Sequence, residues 1–246
     1  MQVSGGKAIY GASVGILMLD AQFPRIPGDM GHASTFPFPV QYRLVAGASP
    51  DRVVRQGAPG LLTPFIEAGL DLVRHGVDGI TTNCGFLSLF QAELAEALPV
   101  PVAASSLMQV AMVERLLPKG KRAGILTISG STLTERHLAL AGAPLDAPIG
   151  STENGTEFTR VILGNEPTLD VARAEADNVA GALELCERHP EVGAIVLECT
   201  NMTPYAAAIR AATGRPVFSV ISFVSWFHSA LVPTRYDFGG LSRDHL

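Results

Sequence analysis

Gly79–Ile80–Thr81–Thr82–Asn83–Cys84 and Ala194–Ile195–Val196–Leu197–Glu198–Cys199 are two short, mainly apolar runs that each end on a cysteine. At the offset they set, 115 positions (199 − 84), Pro101–Val102 falls on Pro216–Val217, the start of the next expected strand in each copy. A second pairing, Gly15–Asp20 with Gly124–Ser129, runs at an offset of 109 (124 − 15), and one loop of unequal length accounts for the difference. Apolar character repeats where the letters do not: Phe90 meets Tyr205, Leu94 meets Ile209 and Leu87 meets Met202. Self-similarity at a fixed spacing is a clue to architecture. Here it predicts two copies of one unit, with a thiol at equivalent turns of each.

Working outward, apolar runs at 12–19, 79–82, 100–103, 123–128, 194–197 and 216–220 are the expected strands. Helical periodicity covers 59–75, 87–97, 107–117, 132–141, 170–189, 204–213 and 223–231. Strands alternating with helices build parallel βαβ units. The expected fold class is therefore α/β, with two pseudo-symmetric Rossmann-like lobes, parallel sheets and the active site in the interlobe cleft. Pro118–Lys119–Gly120–Lys121 breaks the periodicity and marks the boundary between a first lobe (from residue 1 to 119) and a second (120–215). Ligands of open α/β sheets sit beyond the carboxyl ends of the strands, and Asp20, Cys84, Ser129 and Cys199 all stand at such ends.

The stretch 20–41, DAQFPRIPGDMGHASTFPFPVQ, breaks this regularity with four prolines, two glycines and three phenylalanines. Loops of this length are usually functional or disordered, and the aromatic content favours order. Two readings stand: a cover over the cleft mouth that excludes water, or a surface loop packed on its own phenylalanines.

Composition bounds the class. The 246 residues are 47% hydrophobic and 17% charged, enough for a sizeable core and wrong for a disordered chain. A net charge of −5 with no Lys/Arg cluster argues against nucleic-acid and anionic-membrane partners. Mean hydropathy is +0.27, yet no apolar run reaches the length of a membrane span. The first residues lack an apolar signal core, so a cytoplasmic location is expected. In that compartment the three cysteines, 84, 186 and 199, are expected as free thiols.

A carbon beside a carboxylate is a very weak acid. Inverting it without a cofactor needs a base and an acid already placed on opposite faces. Thiols suit the task, because their ordinary pKa of about 8.5 falls near a helix N-terminus or a positive group. Cys84 and Cys199 are therefore the expected catalytic pair, facing a common cleft roughly 6–10 Å apart, the span of a carbon held between two proton-transfer partners. Cys186, inside the amphipathic 170–189 helix, reads as a small buried hydrophobe. The expected substrate-binding set around the pair is Asp20, Thr82, Asn83, Gly85, Ser129, Thr200 and Asn201. Arg25 and Arg43 are further candidate carboxylate partners, and His32 reads as a solvated loop residue. No G-x-G-x-x-G, P-loop or H-E-x-x-H pattern is present, so the expectation is no cofactor and no metal. The expected partner is a small-molecule carboxylate substrate, and a homo-oligomer is compatible with the sequence.

At Gly15–Asp20, Thr81–Phe86 (TTNCGF) and Glu198–Asn201 (ECTN) the chain resembles the aspartate/glutamate racemase superfamily, which also holds hydantoin racemases, maleate isomerases and arylmalonate decarboxylases. That resemblance implies two pseudo-symmetric α/β lobes, a site between them and a two-cysteine racemase without cofactor or metal. By position it matches Cys84 and Cys199 to the two bases, Asp20 to the acidic residue after the first strand and Thr200 to a substrate-binding threonine. It also implies that the chain after Val217 returns to complete the first lobe, assigned as 216–246. The chain departs from the glutamate racemase pattern at Ala21, at Gly85–Phe86 and at Asn201, so the groups that read the ends of an amino acid are altered. Two other classes are carried beside a racemase or epimerase: a single-cysteine decarboxylase or cis–trans isomerase of a small dicarboxylate, and a non-enzymatic two-lobed binding protein.

Overall fold

A computed structural model describes residue 2 and residues 4–236. Its eight strands are β1 (Val14–Leu19), β2 (Val40–Val45), β3 (Gly79–Thr82), β4 (Val102–Ala103), β5 (Arg122–Thr127), β6 (Ile149–Ser151), β7 (Val192–Leu197) and β8 (Val217–Phe218). They form two four-stranded sheets, in the orders β2-β1-β3-β4 and β6-β5-β7-β8. Every strand pair is parallel. The second sheet thus repeats the topology of the first, as the paired offsets require.

Central strands bury both faces, which is why β1, β3 and β5 read as near-continuous small and apolar runs. Among the described residues nine α-helices connect and cover the sheets: α1 (Pro50–Val54), α2 (Leu62–Arg74), α3 (Gln91–Ala97), α4 (Val110–Leu116), α5 (Glu135–Ala141), α6 (Phe158–Gly164), α7 (Val171–Arg188), α8 (Ala206–Thr213) and α9 (Val220–Leu231). Their ends carry local signals. The Asp170 side chain accepts from the Arg173 amide to start α7, and Gly142, at φ 68°, stops α5 in the left-handed region.

Two strands and two helices differ from the periodicity reading. β2 is an edge strand whose residues are mostly exposed or half-exposed, and Pro37 and Pro39 just before it hide the pattern. β6 is three residues long, too short to show alternation. The helices α1 and α6, of five and seven residues, are likewise too short to show a clear helical period.

The assignment of 216–246 to the first lobe starts too early. Val217–Phe218 pairs with β7, so this stretch is the edge of the second sheet. The crossing comes at Ser219, whose capping box opens α9. Val220 and Val224 of that helix pack on Val14, Ile16 and Met18 of β1, and its Phe223 and Phe227 pack on Ala103 of β4. Residues 237–246 of that assignment lie outside the described residues.

The 20–41 stretch does not pack solely on itself. Phe36 and Met30 are buried against β1 and α9, while Phe23 enters the main core. Gly28, at φ 94°, brings the loop against the second lobe, where a Cβ would sit 3.2 Å from the Pro204 Cα.

Candidate active site

Cys84 and Cys199 occupy equivalent corners. Each follows the carboxyl end of a buried central strand, β3 or β7, in extended backbone, and each caps a 3-10 turn: Gly85–Phe90 after the first, Thr200–Tyr205 after the second. The expected α-helix starts are therefore 3-10 turns that pass into α3 and α8. In the second turn Pro204 has no N–H to offer an α-helical bond.

Both cysteines are free thiols, 8% and 7% exposed, and both line one cavity between the sheets. Leu19, Phe23, Pro50, Val54, Phe86, Ile128, Ile162 and Leu163 form its apolar wall, and Asn83, Glu198 and Asn201 its polar part. Its volume is about 20 Å³, enough for about one water, so a substrate must push the walls apart to enter. A wider surface groove of about 590 Å³ runs along β2 and α2, but it holds no cysteine, and Arg43 in it pairs with Asp71 at 3.1 Å.

The two corners are tied across the interface. The Thr200 hydroxyl donates to the Asn83 carbonyl at 2.7 Å. The Asn83 Oδ1 accepts from the Leu19 amide at 2.7 Å, holding the end of β1 to the end of β3. Gly85 abuts Glu198 of the other lobe, where a Cβ would lie 2.5 Å from the Glu198 carbonyl oxygen. Gly85 is thus a close-approach residue at the seam, and it does not line the cavity.

A polar chain runs from the long loop to the second thiol. Arg25 pairs with Asp29 at 2.9 Å, Asn201 Nδ2 donates to Asp29 Oδ2, and the Cys199 thiol donates to Asn201 Oδ1 at 3.6 Å. Asp29 is only 2% exposed. The loop's cover role is therefore supported by Phe23 on the cavity wall and by Asp29 beside the thiol. Nothing in the local sequence separates Asp29 from any other loop aspartate.

Burial controls the electrostatics. It pushes the Cys84 thiol up to about 12, and the Glu198 charge adds to this, while the Phe86 and Leu87 amides pull the other way. Cys199 is raised well above its ordinary value by burial first and Glu198 second, against the Asn201 amide. Burial also lifts Glu198 to about 7, opposed by the Thr127 hydroxyl, which donates to Oε2 at 2.8 Å, and by the Ile128 amide. Burial therefore favours the neutral thiol at both positions.

Four of the nine expected site residues meet at the cavity: Cys84, Cys199, Asn83 and Asn201. Thr200 sits just behind as an interlobe tie. Thr82 turns its hydroxyl to the Ala104 and Cys84 carbonyls, at 2.7 and 3.1 Å, and is consumed by the backbone. Asp20 and Ser129, the two strand ends related by the repeat, fall outside the cavity. Asp20 accepts from the Gly47 amide at 3.1 Å, and Ser129 donates to Glu153 at 2.7 Å. Each pins its strand end to the loop after the neighbouring edge strand. Arg25 serves Asp29 and lies over the Phe23 ring, its guanidinium 4.6 Å from the centroid. His32 bonds Ser34 within the loop, and Cys186 is a half-buried helix residue. The residue missed is Glu198. Its signal was available in the repeat, where a carboxylate stands opposite Asn83 at the end of an otherwise apolar strand.

Among the described residues no helix is long and apolar enough to cross a membrane, and no cluster of metal-ligating side chains occurs.

Two parallel sheets of repeated topology, with a thiol at each facing corner, are the arrangement to set beside known proteins. Residues 46–225 match the family model described as Asp/Glu/Hydantoin racemase, and the chain belongs to that family. Among curated relatives it is 30% identical to a dimethylsulfoniopropionate lyase of Durusdinium sp. clade D over 227 residues, 88% of this chain and 74% of that one. It is 31% identical to dimethylsulfoniopropionate lyase 5 of Emiliania huxleyi (strain CCMP1516), spanning 89% of this chain but 45% of that protein. Among solved structures, unliganded arylmalonate decarboxylase superposes with a TM-score of 0.55 at 16% identity, covering 92% of this chain and 94% of that one. A Bacillus anthracis glutamate racemase gives 0.56 at 17%, covering 91% and 85%.

Proposed function

We propose that this protein is a thiol-dependent lyase that removes the proton alpha to the carboxylate of a small substrate and expels a substituent from the next carbon. Dimethylsulfoniopropionate is the substrate to try first. The observation that carries the reading is the placement of Cys84 and Cys199 on one closed cavity at equivalent strand ends. The lyase relatives at 30–31% identity favour elimination over racemisation. So does Asp20, the resemblance's match for the acidic residue after the first strand, which lies outside the cavity.

In this reading one thiolate takes the α-hydrogen as a proton. The C–H electron pair becomes the Cα=Cβ bond, and the Cβ–S pair leaves with sulfur. A sulfonium propionate then gives acrylate and dimethyl sulfide, and the proton held on the thiol is released to water. The second thiol, neutral, faces the enolate-like charge that grows on the carboxylate and stabilises it as an S–H donor. Asn83 lines the same cavity, and its Nδ2, which bonds no protein atom among the described residues, is the donor for the substrate carboxylate.

Racemisation at the same carbon is the second reading, because it shares the first step and the family includes racemases. One experiment separates them. Headspace dimethyl sulfide and acrylate are measured with dimethylsulfoniopropionate, alongside Cα deuterium uptake and loss of optical rotation with chiral carboxylates in deuterated water. Sulfide release supports the lyase. Exchange with loss of rotation and no elimination defeats it in favour of the racemase.

A further inference from the structure

The cavity wall carries one charged side chain, Glu198, and no cationic side chain lines it. The neighbouring Arg25 is committed to Asp29 and to the Phe23 ring. Glu198 is 1% exposed, and its Oε2 is held by Thr127. Its Oε1 is buried with no hydrogen-bond partner, at the seam against Gly85. A buried acceptor without a partner is costly, and more so when charged. A site holding two thiols and a carboxyl, all disfavoured as anions, lacks the one thing that stabilises them together, a positive charge.

We propose that Glu198 is the specificity-determining residue of the cavity, holding the positively charged end of the substrate, and that the site selects small carboxylates bearing a fully alkylated sulfonium or ammonium group. The assignment rests on the lyase reading above and sharpens its substrate class. A primary ammonium has three N–H donors to satisfy, and the wall provides one vacant side-chain carboxyl or amide oxygen, Glu198 Oε1, because Asn83 Oδ1 and Asn201 Oδ1 are already taken by Leu19 and Cys199. An alkylated onium has no N–H. Its methyl groups fit the apolar wall, its charge faces Glu198, and the Phe86 ring on the same wall favours a cation. Such a substrate also completes the chemistry. A cation beside Glu198 stabilises a thiolate at Cys84 or Cys199, so ionisation of the base follows substrate binding.

The test is calorimetric titration at pH 8 with two isosteric probes, 3-(trimethylammonio)propanoate and its neutral-headed carbon analogue 4,4-dimethylpentanoate. The wild-type protein is expected to bind the onium at least ~10-fold more tightly, as a desolvated charge pair requires. Glu198→Gln should bring the ratio to about one while leaving the carbon analogue's affinity within about threefold. Equal affinities in the wild-type protein overturn the proposal without any variant, and so does a preference that survives in Glu198→Gln. A protein that prefers the onium but releases no dimethyl sulfide keeps the Glu198 assignment and loses the lyase reading. One that releases dimethyl sulfide with an unchanged ratio in the variant loses the Glu198 assignment alone.

Discussion

Glu198→Gln should make the protein more stable relative to wild type as pH rises, which is unusual for a change at a cavity wall. In the folded state burial holds this carboxyl near 7, against an ordinary value of 4.5. Below 4.5 both folded and unfolded chains carry the proton, and the group contributes nothing to the pH dependence. Between 4.5 and 7 the unfolded chain releases the proton while the folded one keeps it, so stability falls as pH rises, and the loss is complete above 7. Full burial leaves little solvent screening, so the loss amounts to roughly 3 kcal/mol by pH 8. A glutamine of the same shape keeps the Thr127 bond and carries no proton to lose. His137 gives the opposite trend, since burial lowers it to about 4 and stability falls as pH drops from 6.5 toward 4. That contribution is common to both proteins and cancels in the difference. The assay is urea unfolding of wild type and variant at half-unit steps from pH 4.5 to 8, short of thiol ionisation. The stability difference should move in the variant's favour by roughly 3 kcal/mol, or about 6–12 °C in melting temperature for a chain of this size. Two parallel stability curves would refute the reasoning, because they would mean that Glu198 ionises in the folded protein as it does in the unfolded one.

Cys84→Ser and Cys199→Ser should each lower turnover by at least about 10²-fold with melting temperature little changed, and full activity in either would remove the two-thiol mechanism. Asp20→Asn should leave turnover within about twofold, since its contact is the Gly47 amide outside the cavity and an asparagine oxygen can accept the same bond; a large loss of rate would place Asp20 in the chemistry after all. Gly85→Ala should cost about 1–3 kcal/mol in urea unfolding, because the added Cβ meets the Glu198 carbonyl of the other lobe; an unchanged midpoint would contradict that close approach. Asp29→Ala should cost about 3 kcal/mol by leaving the largely buried Arg25 guanidinium unpaired, and should also weaken activity through Asn201 and Cys199; wild-type stability would show that the loop is not held by this contact.

The paired runs at 79–84 and 194–199 determined the fold class, because buried parallel strands must be apolar along their whole length and a duplicated unit must repeat that run at its own spacing. The two thiols were legible for the same reason, each standing where a strand gives out. Two of the four edge strands, β2 and β6, were not legible. β2 and β6 bury too little surface to leave a pattern, so only pairing with β1 and β5 reveals them. Strand-end position also proved ambiguous. It marks Asp20, Cys84, Ser129 and Cys199 alike, but only the two cysteines line the cavity, because the end of each sheet's inner β3 or β7 strand faces the other lobe while Asp20 and Ser129 turn to the loops beside them. The repeat marks Glu198 as a carboxylate at a strand end, but tertiary structure decided its part in the site, and it alone decided those of Gly85 and Asp29. A carboxylate becomes a buried, half-partnered group, a glycine becomes a necessity and a loop aspartate becomes the anchor of a thiol only through what the other lobe brings against them. Those contacts join residues more than a hundred positions apart, at separations that no local spacing in the chain encodes.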